Sequence, residues 1–158
     1  MRTKQAKLRT VAPDAKYNST LVEKLINRSM VNGKKTVARS HVYRALQIVA
    51  DETGKKPVEA LEEALSNITP QMEVRSRRVG GASYQVPMPV RSRRGSSLSL
   101  RWLIIEANKR PNGQYHTFAD KLAAEILDAL NNAGGAIEKK LSAHRMAEAN
   151  KAFSHFRW

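Results

Sequence analysis

Six arginines stand within residues 74–95, "VRSRRVGGASYQVPMPVRSRRG", and no acid stands among them. They come in two near-identical blocks, Arg75, Arg77 and Arg78, then Arg91, Arg93 and Arg94, separated by Gly80-Gly81 and a Tyr-Gln-Val-Pro-Met-Pro run. A guanidinium presents a planar fork of donors that matches phosphate oxygens two at a time. Five or six of them crowded into a small volume, with no counter-charge from the chain, would take their anions from outside it. Covalent chemistry has no comparable support. The chain has no cysteine, and His41, His116 and His155 stand without an acid–base partner. His144 and Glu148 have the i, i+4 spacing of a metal pair, but no third ligand has supporting spacing. Neither catalysis nor a metal or cofactor is expected.

The rest of the charge points the same way. The chain has 158 residues, a net charge of +14 and a pI of about 10.5. Such an excess destabilises a compact chain by self-repulsion unless a polyanion is at hand, nucleic acid first and an anionic membrane second. The distribution is uneven: residues 51–73 carry six acids and two lysines, whereas 75–105 carry seven arginines and no acid. The acidic stretch is expected to face away from a polyanion. A second basic segment is the N-terminus, where Arg2, Lys4, Lys7 and Arg9 fall in a region without apolar period, read as an extended arm over 1–17. A third is Lys34-Lys35 in "NGKKT". This is not a phosphate-binding loop, since Arg28 stands where the first glycine is needed and a helix precedes it. The lysines would open a helix, where the dipole disfavours cations and a polyanion would offset that. No apolar run reaches membrane-spanning length and no secretory leader is evident, so a single cytosolic domain spanning 1–158 is expected.

Six helices are legible around these segments. Ser19 caps the first, with Leu21, Val22, Leu25 and Ile26 inward. The second spans about 35–53 and ends at Gly54. The third starts at Pro57 and repeats Val58, Leu61, Leu65 and Ile68. The fourth starts near Ser96, with Leu98, Trp102 and Ile105 on one side. Thr117 opens the fifth, and the sixth runs from near Ala136 towards Phe153 with Ile137, Leu141 and Met146 as its apolar points. Between the third and fourth, the period changes to two, which predicts strands over 72–79 and 84–90 around a four-residue loop. Pro87 and Pro89 are two apart, so both missing N–H donors fall on one edge, which cannot recruit a third strand. A two-stranded ribbon is marginal alone and needs a surface to lie on. The aromatic and basic tail, Phe153, His155, Phe156, Arg157 and Trp158, can stack on bases, close onto the body or meet a protein partner.

Three ordered segments, "SRRVGGASYQVPMPVRSRR" with "LSLRWLIIEANKR", "LINRSMVNGKKTVARSHVYRAL" and "HRMAEANKAFSHFRW", closely resemble the family of bacterial small-subunit ribosomal protein seven, over about residues 13–158. The resemblance implies a mainly α fold, with a six-helix body and a protruding two-stranded antiparallel hairpin between the third and fourth helices. It implies a non-enzymatic protein that binds the 3′ major domain of small-subunit ribosomal RNA and nucleates assembly of the subunit head. Exit-site tRNA and the messenger path would lie nearby, with ribosomal proteins nine and eleven as neighbours and no membrane. Carried over by position, the RNA-facing set is Arg2, Lys4, Lys7, Arg9, Lys34, Lys35 and the six hairpin arginines. The tip, Val79, Gly80, Gly81, Ala82, Ser83 and Tyr84, would approach tRNA or messenger, and His144, Arg145 and Lys151 would lie near the exit site. The loop over 108–117 is longer and less basic than the family's usual connection, which puts RNA contact there in doubt. The alternative from composition alone is an architectural DNA-binding protein with a helical body and a β-ribbon arm.

Overall fold

The computed structural model describes residues 10–156. The elements follow in chain order as α1 (Thr20–Ser29), α2 (Lys35–Thr53), α3 (Pro57–Ile68), β1 (Met72–Val79), β2 (Ala82–Pro89), α4 (Ser92–Lys109), α5 (Phe118–Leu130) and α6 (Gly135–Ala149), then a 3-10 turn at Lys151–Phe156. The fold is mainly helical with a two-stranded antiparallel hairpin between α3 and α4, as the sequence implies. Among the described residues, no helix is long and apolar enough to cross a membrane.

Local chemistry sets the helix ends. Ser19 Oγ accepts the Leu21 N–H at 3.2 Å, satisfying one of the donors that a helix start leaves open. Gly54 stops α2 in the left-handed region at φ +67°. Thr117 and Asp120 form a reciprocal capping box at α5.

Helix α5 packs against α2, α3 and α4. Its Leu122, Ala123, Ile126 and Ala129 meet a core built from Val42, Leu46 and Val49 of α2, Leu61, Leu65 and Ile68 of α3, and Leu100, Leu103, Ile104 and Ala107 of α4. Helix α1 adds Val22, Leu25 and Ile26. All these side chains are essentially out of water, and such burial is the main favourable contribution to folding.

Four sequence expectations are corrected. Helix α4 starts at Ser92 rather than Ser96 and buries Leu100, Leu103, Ile104 and Ala107 together with Leu98, leaving Ile105 41% exposed. An early start is possible because Gly95 takes no space: a Cβ there would lie 2.9 Å from Thr69 Cγ2 at the end of α3. Helix α6 does not bury Leu141 or Met146, which are 54% and 56% exposed; it packs through Ala136, Ile137 and Ala147. Small side chains let its axis come close to its neighbours, and they leave no strong apolar period to read. Strand β2 begins at Ala82, so the loop is the two-residue Gly80–Gly81 turn, with φ +57° and +93° at its glycines.

The fourth correction concerns the arm. Its last part is docked on α2. Asp14 is 2% exposed; it accepts the Tyr43 hydroxyl at 2.7 Å and the backbone N–H groups of Lys16 and Tyr17 at 3.1 Å each. Tyr17 and Tyr43 meet edge to face with ring centroids 5.5 Å apart. Burial alone would raise the Asp14 pKa, but these donors and the charge of Arg39 outweigh it and hold the carboxyl below its ordinary value. A depressed folded pKa contributes stability that is present above the unfolded value, near pH 4, and disappears as pH falls through the folded one. Tyr43→Phe should therefore lose about 1.5–3 kcal/mol at neutral pH. That deficit should shrink as pH drops below about 4. Urea unfolding of both proteins across that range reads it, and a deficit that stays constant down to full protonation would contradict the assignment.

Candidate nucleic-acid interface

The ribbon pairs in a regular register from Met72 opposite Pro89 to Val79 opposite Ala82. The Val90 N–H donates to the Gln71 carbonyl at 2.9 Å. By the two-residue alternation Met88 and Val86 also face β1, which leaves Pro87 and Pro89 on the outer edge. The surface beneath the ribbon is α6 and the 3-10 turn. Val86 is fully buried. His144 Nε2 accepts the Gln71 N–H at 3.0 Å, so this histidine ties α6 to the hairpin base. Tyr84 packs against both Phe153 and Phe156, with centroids 5.3 and 5.1 Å away. Of the three uses open to the aromatic tail, closure onto the body is the one the structure displays for these two rings. Tyr84 is accordingly covered, while Gly80, Gly81, Ala82 and Ser83 form the exposed tip beside half-buried Val79.

The six arginines separate into groups. Arg78, Arg91 and Arg93 are exposed and have no ion-pair partner among the described residues. Arg77 is half-buried, across the ribbon from Tyr84. Arg75 and Arg94 are paired: both contact Glu73, at 2.6 and 2.7 Å. The expectation of a wholly uncompensated array is therefore corrected for these two. Glu73 falls at the end of the acidic stretch in sequence but folds into the arginine cluster, because β1 carries it to the first turn of α4. Burial alone would raise its pKa; the hydrogen bonds from Arg94 and Arg75, and their charges, outweigh that and lower it. Arg93 and Arg94 are in the first turn of α4 rather than in a connection ahead of it.

The lysine pair also divides. Lys34 is exposed at the N-cap of α2, whereas Lys35 is ion-paired with Glu23 of α1. The structure does not gather Lys34 with the arginines. It lines a hollow with Val31, His41, Asn108 and Phe118. A second hollow, of about 580 Å³, is lined by Lys24, Arg28, Ser92 and Arg93 among others. Ser92 and Asn108 are near opposite ends of α4, about 24 Å apart at 1.5 Å per residue. Lys24, Arg28 and Arg93 thus lie near one end of α4 and Lys34 near the other, rather than meeting at a point.

Lys24 and Arg28 escaped the sequence reading. Both are exposed on α1, and the Arg28 guanidinium donates to the Ser97 carbonyl at 3.2 Å. Their i, i+4 spacing, opposite the Val22, Leu25 and Ile26 stripe, is the signal that could have found them. Arg145 and Lys151 are exposed on α6 and at the start of the 3-10 turn. Arg2, Lys4, Lys7 and Arg9 lie outside the described residues. Elsewhere several cations are paired within the body. Lys55 pairs with Glu63 and Lys56 with Glu59. Arg110, in the less basic loop, is turned inward onto Glu125 and Asp128.

A helical body with an edge-capped basic ribbon and further exposed cations on several helices has the build expected of a scaffold for a polyanion. The model of the family described as ribosomal protein S7p/S5e matches residues 1–151, and the chain belongs to that family. It is 53% identical over 158 residues, covering all of both chains, to the protein named small ribosomal subunit protein uS7 of Thermosipho melanesiensis. It is 54% identical over 150 residues to the proteins of that name from Dictyoglomus thermophilum and Carboxydothermus hydrogenoformans, covering 95% of this chain and 94% of each relative.

Proposed function

We propose that this protein is a structural constituent of the small ribosomal subunit in the cytoplasm, that it binds the 3′ major domain of the subunit's RNA directly, and that this binding nucleates assembly of the head. The observation that carries the reading is the match at 53% identity, end to end, to a relative named as a small-subunit ribosomal protein. Its chemistry agrees. Helices of RNA meeting at a junction repel through their phosphates, and a rigid cationic body set among them lowers that repulsion and favours one arrangement. Recognition by arginine forks and further exposed cations is recognition of backbone and shape. The exposed tip at Gly80–Gly81, with Lys151 and Arg145, would approach exit-site tRNA and messenger, with ribosomal proteins nine and eleven beside the body. No step of bond making is assigned to it.

Chemical footprinting of the small-subunit RNA, with and without the protein, tests this. Protections should cluster within one folded domain, fade as salt is raised, and survive an excess of duplex DNA. Protection spread evenly over the RNA, or abolished by the duplex, would refute it, and the second result would favour an architectural DNA-binding protein.

A further inference from the structure

Glu73 stands where affinity for a polyanion alone would not put an acid. It is the only Asp or Glu between residues 64 and 105, its side chain is 11% exposed, and it lies inside the arginine cluster. Each carboxylate oxygen serves a different element. Oε1 accepts from Arg75 Nε of β1 at 2.8 Å, and Oε2 accepts from Arg94 Nε of α4 at 2.7 Å. Oε1 also lies 2.6 Å from Arg75 Nη2. The carboxylate therefore takes the Nε side of both forks. Among the described residues, both Nη groups of Arg94 and Nη1 of Arg75 are left for an outside acceptor, and the two side chains stay about half exposed, at 49% and 51%.

We propose that Glu73 is a positioning residue, which holds Arg75 and Arg94 side by side as a preformed clamp for the phosphate backbone of RNA. The proposal rests on the RNA-binding reading above. An arginine side chain is long and rotamer-rich, and fixing it on binding costs affinity. A carboxylate that has already fixed two of them removes that cost, at the expense of one negative charge near the ligand. The two effects have opposite signs. If charge dominates, deleting the carboxylate tightens RNA binding and steepens its salt dependence. If positioning dominates, deleting it weakens binding although the surface becomes more positive.

Filter-binding titrations of the full chain with a transcript of the small-subunit RNA, over a salt series, decide between them. Glu73→Gln should bind about tenfold more weakly than the wild type. In an Arg75→Ala, Arg94→Ala background the same change should no longer weaken binding, because the coupling vanishes when the partners are gone and only the removal of a negative charge is left. A merely structural role would weaken binding in that background too. In the free protein the Nε–H resonances of Arg75 and Arg94 should be distinct in the wild type and collapse towards those of solvated arginines in Glu73→Gln. Binding by Glu73→Gln that equals or exceeds wild type, an undiminished effect in the double background, or unmoved Nε–H resonances would each overturn the clamp. Failure of the wild type to bind the transcript would instead overturn the RNA reading, and the resonances would still decide whether Glu73 orders the two arginines.

Discussion

Arg110→Ala should lower stability by about 3–5 kcal/mol, the cost of leaving a buried charge without its partner. Arg110 is 15% exposed, and its guanidinium donates to Glu125 at 2.7 and 2.9 Å and also to Asp128. Glu125 is 2% exposed, and its other oxygen accepts the Ala136 N–H at 2.8 Å, at the start of α6. One ion pair therefore ties the loop after α4 to α5 and sets where α6 begins. For a chain of this length the loss corresponds to a fall of about 10 °C in Tm. Thermal and urea unfolding measure it, with Arg110→Lys as a control that keeps the charge but loses the fork and so recovers only part of the loss. A deficit under about 1 kcal/mol would show that the pair behaves as an exposed one. The loop's departure from a basic composition has a structural reading: its arginine serves the fold.

The largest expected effect on binding comes from the hairpin cations that have no ion-pair partner among the described residues. Replacing Arg78, Arg91 and Arg93 by Ala should leave helical content unchanged, because each is exposed and contributes nothing to the core. The slope of log affinity against log salt should fall by about one unit for each phosphate no longer neutralised, so about three for the triple variant. At moderate salt the affinity for small-subunit RNA should drop by at least about a hundredfold. Filter binding over a salt series checks both, and an unchanged slope would remove these residues from the interface. Extending the substitution to Arg75 and Arg94 is a less direct test, since it strands Glu73 half-dry without either partner.

Much of the fold is legible in residue order, and the parts that are not share a cause. Helix α2 is readable to its ends because Gly54 and a sustained apolar stripe punctuate it, and α5 because Thr117 caps a four-residue repeat. The hairpin is readable because Pro87 and Pro89 fix which edge of β2 pairs. Three features have no local signal. The start of α4 runs through "SRRGSS", which has no apolar period and depends on Gly95 fitting against Thr69, a contact between elements. Helix α6 packs on alanines, and its two most apolar residues, Leu141 and Met146, face out. Asp14 and Glu73 read as ordinary acids in their segments, yet one docks the arm on Tyr43 and the other joins β1 to α4. Each of those pairings spans about 20 or more positions, and a single sequence does not reveal them. The family resemblance supplies the element order and an expectation of which residues face RNA, but not which of those residues the fold neutralises.

The two imino acids on the outer margin of β2, Pro87 buried and Pro89 exposed, decide what the ribbon cannot recruit. Had that margin carried amides at positions 87 and 89, two copies could zip together and seed fibril growth. With the donors gone, that margin offers no ladder for a further strand.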